Sequence, residues 1–141
     1  MQSYANDIYD MHQKYGVHQW VKFNIQNREL MEKYLRFRLE MCQEELTETM
    51  VAVDNKDPEE VVDGLIDLIV FALGTLDIFA VNSNTAWKKV FEANMKKEVG
   101  IKEGRANPFL LPDLIKPEGW TAPDHQYNHG WLPHVLGGST D

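Results

Sequence analysis

The feature that most limits how this chain can fold is the run from Asn27 to Val53, which contains neither glycine nor proline and leads through DNKDPEE into a second long, apolar segment. Within the run, Leu30, Tyr34, Phe37, Met41, Leu46 and Met50 recur near the helical period, which predicts one long helix with these residues as its inner stripe. DNKDPEE reads as a turn with a new helix start: Asp57 caps, Pro58 suits the first helical position, and Glu59 and Glu60 favour the positive end of the dipole. The helix it opens reaches about Phe79. Two long helices joined by so short a turn are expected to run antiparallel.

The flanks complete an all-α expectation. Tyr4, Ile8, Met11 and Tyr15 share one face of a first helix over residues 3–15, which Gly16 stops, and Val17 to Gln26 form a connection. Asn82 to Thr85 supply caps for a fourth helix whose inner stripe is Trp87, Val90, Phe91 and Met95 and which ends by Gly100. From Lys102 onward the character changes, because five of the six prolines lie in the last 34 residues, among Trp120, Tyr127 and Trp131. Solvated tails are usually poor in tryptophan, so this segment is expected to be an extended arm laid over a surface. The expected architecture is a four-helix bundle over 1–101 with an arm over 102–141, all in one domain of 141 residues. There is no internal repeat and no pair of alternating strands.

Charge and cysteine content narrow the function. A net charge of -8 repels phosphate backbones and disfavours stable nucleic-acid binding, yet an acidic site that captures a divalent cation can still handle a phosphorylated small molecule. Cys42 is alone, which rules out an internal disulfide and suits a reducing cytoplasm. No stretch reaches the ~18 apolar residues of a membrane span, and the N-terminus lacks the apolar region of a signal peptide.

The chemistry is expected in the helix pair. Counted outward from the turn, Glu48 falls opposite Asp63 and Glu45 opposite Asp67, so two carboxylates from each helix occupy adjacent levels. Asp63 and Asp67 sit among Val61, Val62, Leu65, Ile66, Leu68, Ile69, Val70 and Phe71, a helix apolar nearly all round and expected to be buried. Uncompensated, such a cluster would cost several kcal/mol per charge against the ~5 to 15 kcal/mol that hold a domain together. Lysine or arginine partners, protonation or a metal must offset it; Lys33, Arg36 and Arg38 are the cations at hand, and solvent exposure accounts better for Glu44 and Glu59. An oxygen-only cluster fits Mg²⁺ or Mn²⁺.

EELTE (44–48), EEVVDGLID (59–67), an apolar helix and EANMKK (92–97) together resemble the all-α nucleotide pyrophosphohydrolases, the group of MazG, phosphoribosyl-ATP pyrophosphohydrolase, dCTP pyrophosphatase and dimeric dUTPase. The tail DLIKPEGWTAPD (113–124) is similar to that of short MazG-like members often met in phages, whose compartment would be the host cytoplasm. The resemblance spans roughly residues 30 to 100. It implies that Glu45 and Glu48 hold Mg²⁺ with an acidic pair on the next helix, while one of them orients or deprotonates water. The family's ExxD is met literally by Glu60 and Asp63, but eleven residues between Glu48 and Glu60 is short for the family; counting from the turn prefers Asp63 with Asp67 and leaves Glu60 as a second-metal ligand nearer the turn.

The implied reaction is hydrolysis of a (deoxy)nucleoside triphosphate to a monophosphate and pyrophosphate; phosphoribosyl-ATP, an alarmone such as ppGpp, or silent nucleotide or partner binding are the alternatives. Asn94 and Lys97, three apart on the fourth helix, are candidates for phosphate, sugar or base contacts, with Lys102 as a helper. His12, Trp20 and Phe23 are candidates for a base pocket, and Lys116 and Trp120 for a lid or cross-subunit contact. Trp87 is assigned to packing, and His125, His129 and His134, lacking a regular element, to surface or base contacts rather than zinc. So much apolar surface on four helices predicts association, and the resemblance points to a homodimer or homotetramer.

Overall fold

The computed structural model describes residues 2–104 and 106–137. It contains α1 (Tyr4–Lys14), α2 (Val17–Asn24), α3 (Arg28–Asp54), α4 (Pro58–Ile78), α5 (Ser83–Met95), β1 (Glu98–Gly100), β2 (Asp113–Ile115) and α6 (Leu132–Leu136). The chain is all-α apart from one short antiparallel ladder that pairs Val99 with Leu114. No single helix is long and apolar enough to cross a membrane.

Local chemistry sets the helix starts. Asn27 Oδ1 accepts from the Leu30 amide at the head of α3, and Asp57 Oδ1 accepts from the Glu60 amide at the head of α4, with Pro58 in the first turn. Caps of this kind contribute about 1 kcal/mol each. The stretch expected as a connection after Gly16 is instead a helix: Val17–Asn24 contains no breaker, and Gly16, in the left-handed region at φ 76°, turns the chain between α1 and α2.

Two compact units are present. The first comprises the chain up to Asn84 together with the chain from Gln126 onward; the second is Thr85–His125. In the first, Val21, Ile25, Met31, Ile78, Phe79 and Val135 form the buried core, with Val17, Tyr34, Leu35 and Leu132 packed against it. Val135 and Leu132 come from the end of the chain, so the segment expected as part of an extended arm instead completes the first unit's core. Hydrogen bonds secure it there: the Asn128 side chain accepts from the Asn82 amide at 2.8 Å and donates to the Asn82 carbonyl at 2.9 Å, the Trp131 amide donates to the Phe79 carbonyl at 2.7 Å, and His134 Nε2 donates to the Ile25 carbonyl at 2.9 Å.

The face that α3 turns toward α4 is not the expected stripe. Phe37, Leu46 and Met50 are exposed, whereas Met31, Leu35, Arg38, Cys42, Glu45, Thr49 and Ala52, spaced four and three apart, are buried or half-buried. On α4 the corresponding residues are Val61, Gly64, Leu68, Phe71, Thr75 and Ile78. The reason is the closeness of the two backbones: a β-carbon at Gly64 would lie 2.1 Å from Thr49 Oγ1. Small and polar residues make the seam at this level, bulky ones such as Met31, Leu35, Leu68 and Phe71 fill it further along, and Phe37, Leu46 and Met50 are left outside. Val62, Leu65, Ile66 and Ile69 are exposed too, so α4 is not buried all round.

Gly64→Ala should accordingly lower stability by up to about 2 kcal/mol, because overpacking costs ~1–3 kcal/mol and the better helix propensity of alanine offsets about 1 kcal/mol. In a Thr49→Ala background most of that loss should disappear, which urea denaturation of the four proteins of the cycle would measure. Equal losses in both backgrounds would contradict the close approach.

The second unit is built around α5 and the β1–β2 ladder. Trp120 Nε1 donates to the Ala93 carbonyl at 2.7 Å, and Ala93 is buried. Trp87 is not the packing residue expected: it is 72% exposed, and Phe91 and Met95 are exposed with it.

Candidate active site

Glu45 lies on the α3 face that packs on α4, and Asp67 is half-buried on α4. Glu48 and Asp63 are exposed, at the edge of the same seam rather than in a buried helix as the sequence suggested. The Glu45 carboxyl is held above its ordinary pKa of 4.5, first by burial and then by repulsion from Glu48, Asp67, Glu44 and Asp63. The four predicted carboxylates thus share one electrostatic neighbourhood, as their distances from the turn required. Glu60, exposed near the start of α4, is not among the groups that repel Glu45.

None of the nearby cations compensates them. Among the described residues, Lys33 pairs with Glu29, Arg36 with Glu32, and Arg38 donates to Thr75 Oγ1 and the Phe71 carbonyl while its guanidinium stacks over the Phe71 ring. The carboxylates around Glu45 repel one another, but among the described residues no three of them bring their ligand atoms within 4.8 Å of one another, as His12, His18 and Asp77 do; an oxygen-rich donor set of this kind suits a hard divalent cation.

The sign of the resulting pH effect follows. A carboxyl whose pKa is raised by folding binds protons better in the folded state, so its contribution is present below 4.5 and is lost as pH rises through the folded value. Relative to Glu45→Gln, the metal-free wild type should lose stability as pH rises above 4.5, and saturating Mg²⁺ should abolish that difference, measured as denaturation midpoints. A difference insensitive to both pH and Mg²⁺ would count against the cluster.

The other expected site residues are dispersed. Trp20 stands edge-to-face on Tyr34 at 4.8 Å and lines a cavity of about 640 Å³ with Tyr15, Leu30 and Lys33. His12 does not line it, and Phe23 is 88% exposed, so the three residues suggested for a base pocket do not form one. In the second unit, α5 ends at Met95, so Asn94 and Lys97 do not share a helix face; Lys97 Nζ lies 5.4 Å from the Trp120 ring centre and Lys116 Nζ 5.2 Å from it. Lys102 donates its backbone amide to Asp113 Oδ2.

His12 is buried against Asp77, with Nδ1 2.6 Å from Asp77 Oδ2, and His18 Nε2 lies 2.7 Å from the same oxygen. Neither His18 nor Asp77 was singled out from sequence. The available signal was an aspartate in the last turn of α4, at the negative end of its dipole, with no basic residue in that turn.

The phosphoribosyl-ATP pyrophosphohydrolase family matches residues 21–94, just over half of the 141 residues and including all of α3 and α4. The chain belongs to this family. It is an all-α, MazG-like family of nucleotide pyrophosphohydrolases, hydrolases that act on acid anhydrides, and such enzymes generally use divalent metals. The matched span holds Glu45, Glu48, Glu60, Asp63, Asp67 and Asn94, while His12, Lys97, Lys102, Lys116 and Trp120 lie outside it. No curated protein and no solved structure matches the chain.

Proposed function

We propose that this member of the family is a Mg²⁺-dependent pyrophosphohydrolase of deoxyribonucleoside triphosphates, releasing a monophosphate and pyrophosphate. The observation that carries the reading is the group of Glu45, Glu48, Asp63 and Asp67 on two adjoining helices, with no ion-pair partner for any of them among the described residues. Magnesium held by these carboxylates would neutralise phosphate charge and favour ionisation of water. Glu45 or Glu48 would orient the attacking water or accept its proton. The water oxygen bonds to phosphorus, the bridging P–O bond between the α and β phosphates breaks, and pyrophosphate leaves without a covalent enzyme intermediate. Asp67 rather than Glu60 completes the set in this reading, because Asp67 repels Glu45 and Glu60 is not among the groups that do.

Trp20, which stands on Tyr34 at the cavity it lines, is the proposed contact for the base. The exposed apolar residues Leu46, Met50, Val62, Leu65, Ile66 and Ile69 on α3 and α4 support a homodimer or homotetramer, since monomers rarely leave so many together in water. The cytoplasm is the proposed compartment.

A second reading, phosphoribosyl-ATP as substrate, is favoured by the description of the matching family. One screen separates the two: phosphate release measured with added pyrophosphatase over the canonical dNTPs and NTPs and phosphoribosyl-ATP, with Mg²⁺ or Mn²⁺. Turnover of a dNTP supports the first reading, and turnover of phosphoribosyl-ATP alone replaces it with the second. Inactivity on all of them would defeat both.

A further inference from the structure

We propose that His12, His18 and Asp77 form a second metal site, chemically unlike the carboxylate cluster, that binds a zinc-class divalent cation and keeps one coordination position open toward a cavity. Three helices bring the side chains together: His12 stands near the end of α1, Gly16 turns the chain so that His18 returns from α2, and Asp77 closes α4. Their ligand atoms lie within 4.8 Å of one another. Asp77 is on the α4 turn where a negative charge is least favoured, and it is partly buried, so its ionised form depends on something positive or strongly donating beside it.

The orientation of His18 is informative. Its Nδ1 lies 2.6 Å from Gln13 Oε1, an acceptor, and its Nε2 2.7 Å from Asp77 Oδ2, so with Nδ1–H donating to Gln13 the Nε2 is the atom turned to the carboxylate. A ligating histidine ordinarily donates its second ring N–H to an oxygen of the surroundings, which fixes the tautomer, and Gln13 stands in that place. Two imidazole nitrogens and one carboxylate oxygen suit Zn²⁺, Co²⁺ or Ni²⁺, whereas Mg²⁺ prefers oxygen alone. Ligand atoms of a tetrahedral ion at ~2.0–2.1 Å stand about 3.4 Å apart, so an ion would push Asp77 Oδ2 away from both nitrogens, now at 2.6 and 2.7 Å, by rotation of the side chains.

His18 and Asp77 also line a cavity of about 390 Å³ together with Asn6, Tyr9, Ser83 and Asn84. A fourth ligand, water or an anionic group, can enter from there. The site is separate from the carboxylate cluster, since the ten residues from Asp67 to Asp77 span about 15 Å of helix.

The test is Zn²⁺ titration by calorimetry of the untagged, metal-free full chain in excess Mg²⁺, with Co²⁺ absorption as a reporter of tetrahedral nitrogen and oxygen ligands. One Zn²⁺ per chain is expected, with affinity lowered more than about 100-fold by His18→Ala and about 10-fold by Gln13→Leu, and unchanged by Glu45→Gln. Gln13 is exposed, so its variant reads the site without touching the core. Absence of Zn²⁺ binding to the wild type, or binding that follows Glu45→Gln and ignores His18→Ala, would overturn the proposal and leave the triad a hydrogen-bonded brace.

Discussion

Replacing Glu45 by glutamine is expected to lower pyrophosphate release by about 10²- to 10⁴-fold, the range for loss of a general base, while raising the thermal stability of the metal-free protein. The two effects have one cause. Glu45 is held close to Glu48, Asp67 and Asp63, so its charge is repelled in the folded state and its proton affinity is raised. Neutralising it relieves the repulsion and removes the proton acceptor together, the usual opposition between a charged site and the stability of its scaffold. Asp67→Asn should follow Glu45→Gln in activity, whereas Glu60→Gln should stay near wild type, because Glu60 is not among the groups that repel Glu45. Activity of Glu45→Gln within a few-fold of wild type would remove this residue from the chemistry.

Gly130→Ala is the substitution expected to damage the fold most, by about 3 kcal/mol or more. A β-carbon there would meet the Phe79 carbonyl oxygen at 2.0 Å, and the backbone is in the left-handed region at φ 54°. The strain alone is worth about 1–2 kcal/mol. Relief of the clash would move Trp131 away from its bond to Phe79, with about 1 kcal/mol for that bond and more for Val135 and Leu132 drawn out of the core. Gly16→Ala provides the control, since Gly16 has φ 76° but nothing within 4 Å of its would-be β-carbon, so it carries the strain without the collision. Melting temperatures of the two variants should therefore differ by roughly 2–8 °C, at about 2–4 °C per kcal/mol for a chain of this size. Equal melting temperatures would mean that the chain end does not lock onto Phe79.

Much of the fold was legible because it rests on local chemistry. The absence of breakers between Asn27 and Val53, the Asp57–Pro58 start and the length of the apolar segment after it specify a helical hairpin without reference to anything distant. Given the hairpin, the levels of Glu45, Glu48, Asp63 and Asp67 follow by counting from the turn, and their mutual repulsion reflects that arithmetic. Legibility failed where a residue's surroundings come from far along the chain. Periodicity marks which residues share a face but not which face meets a neighbour; Phe37, Leu46 and Met50 are exposed, and the face through Thr49, close against Gly64, is the one that meets α4.

The same division separates the two polar clusters. The carboxylates lie on helices adjacent in sequence, so the sequence by itself determined their company. His12, His18 and Asp77 are brought together by a turn at Gly16 and by packing across 59 and 65 residues, and Val135 reaches the core from the far end of the chain. Such meetings arise from burying shared apolar surface, a property of the whole packed unit that no short stretch encodes, and only the tertiary structure could decide them.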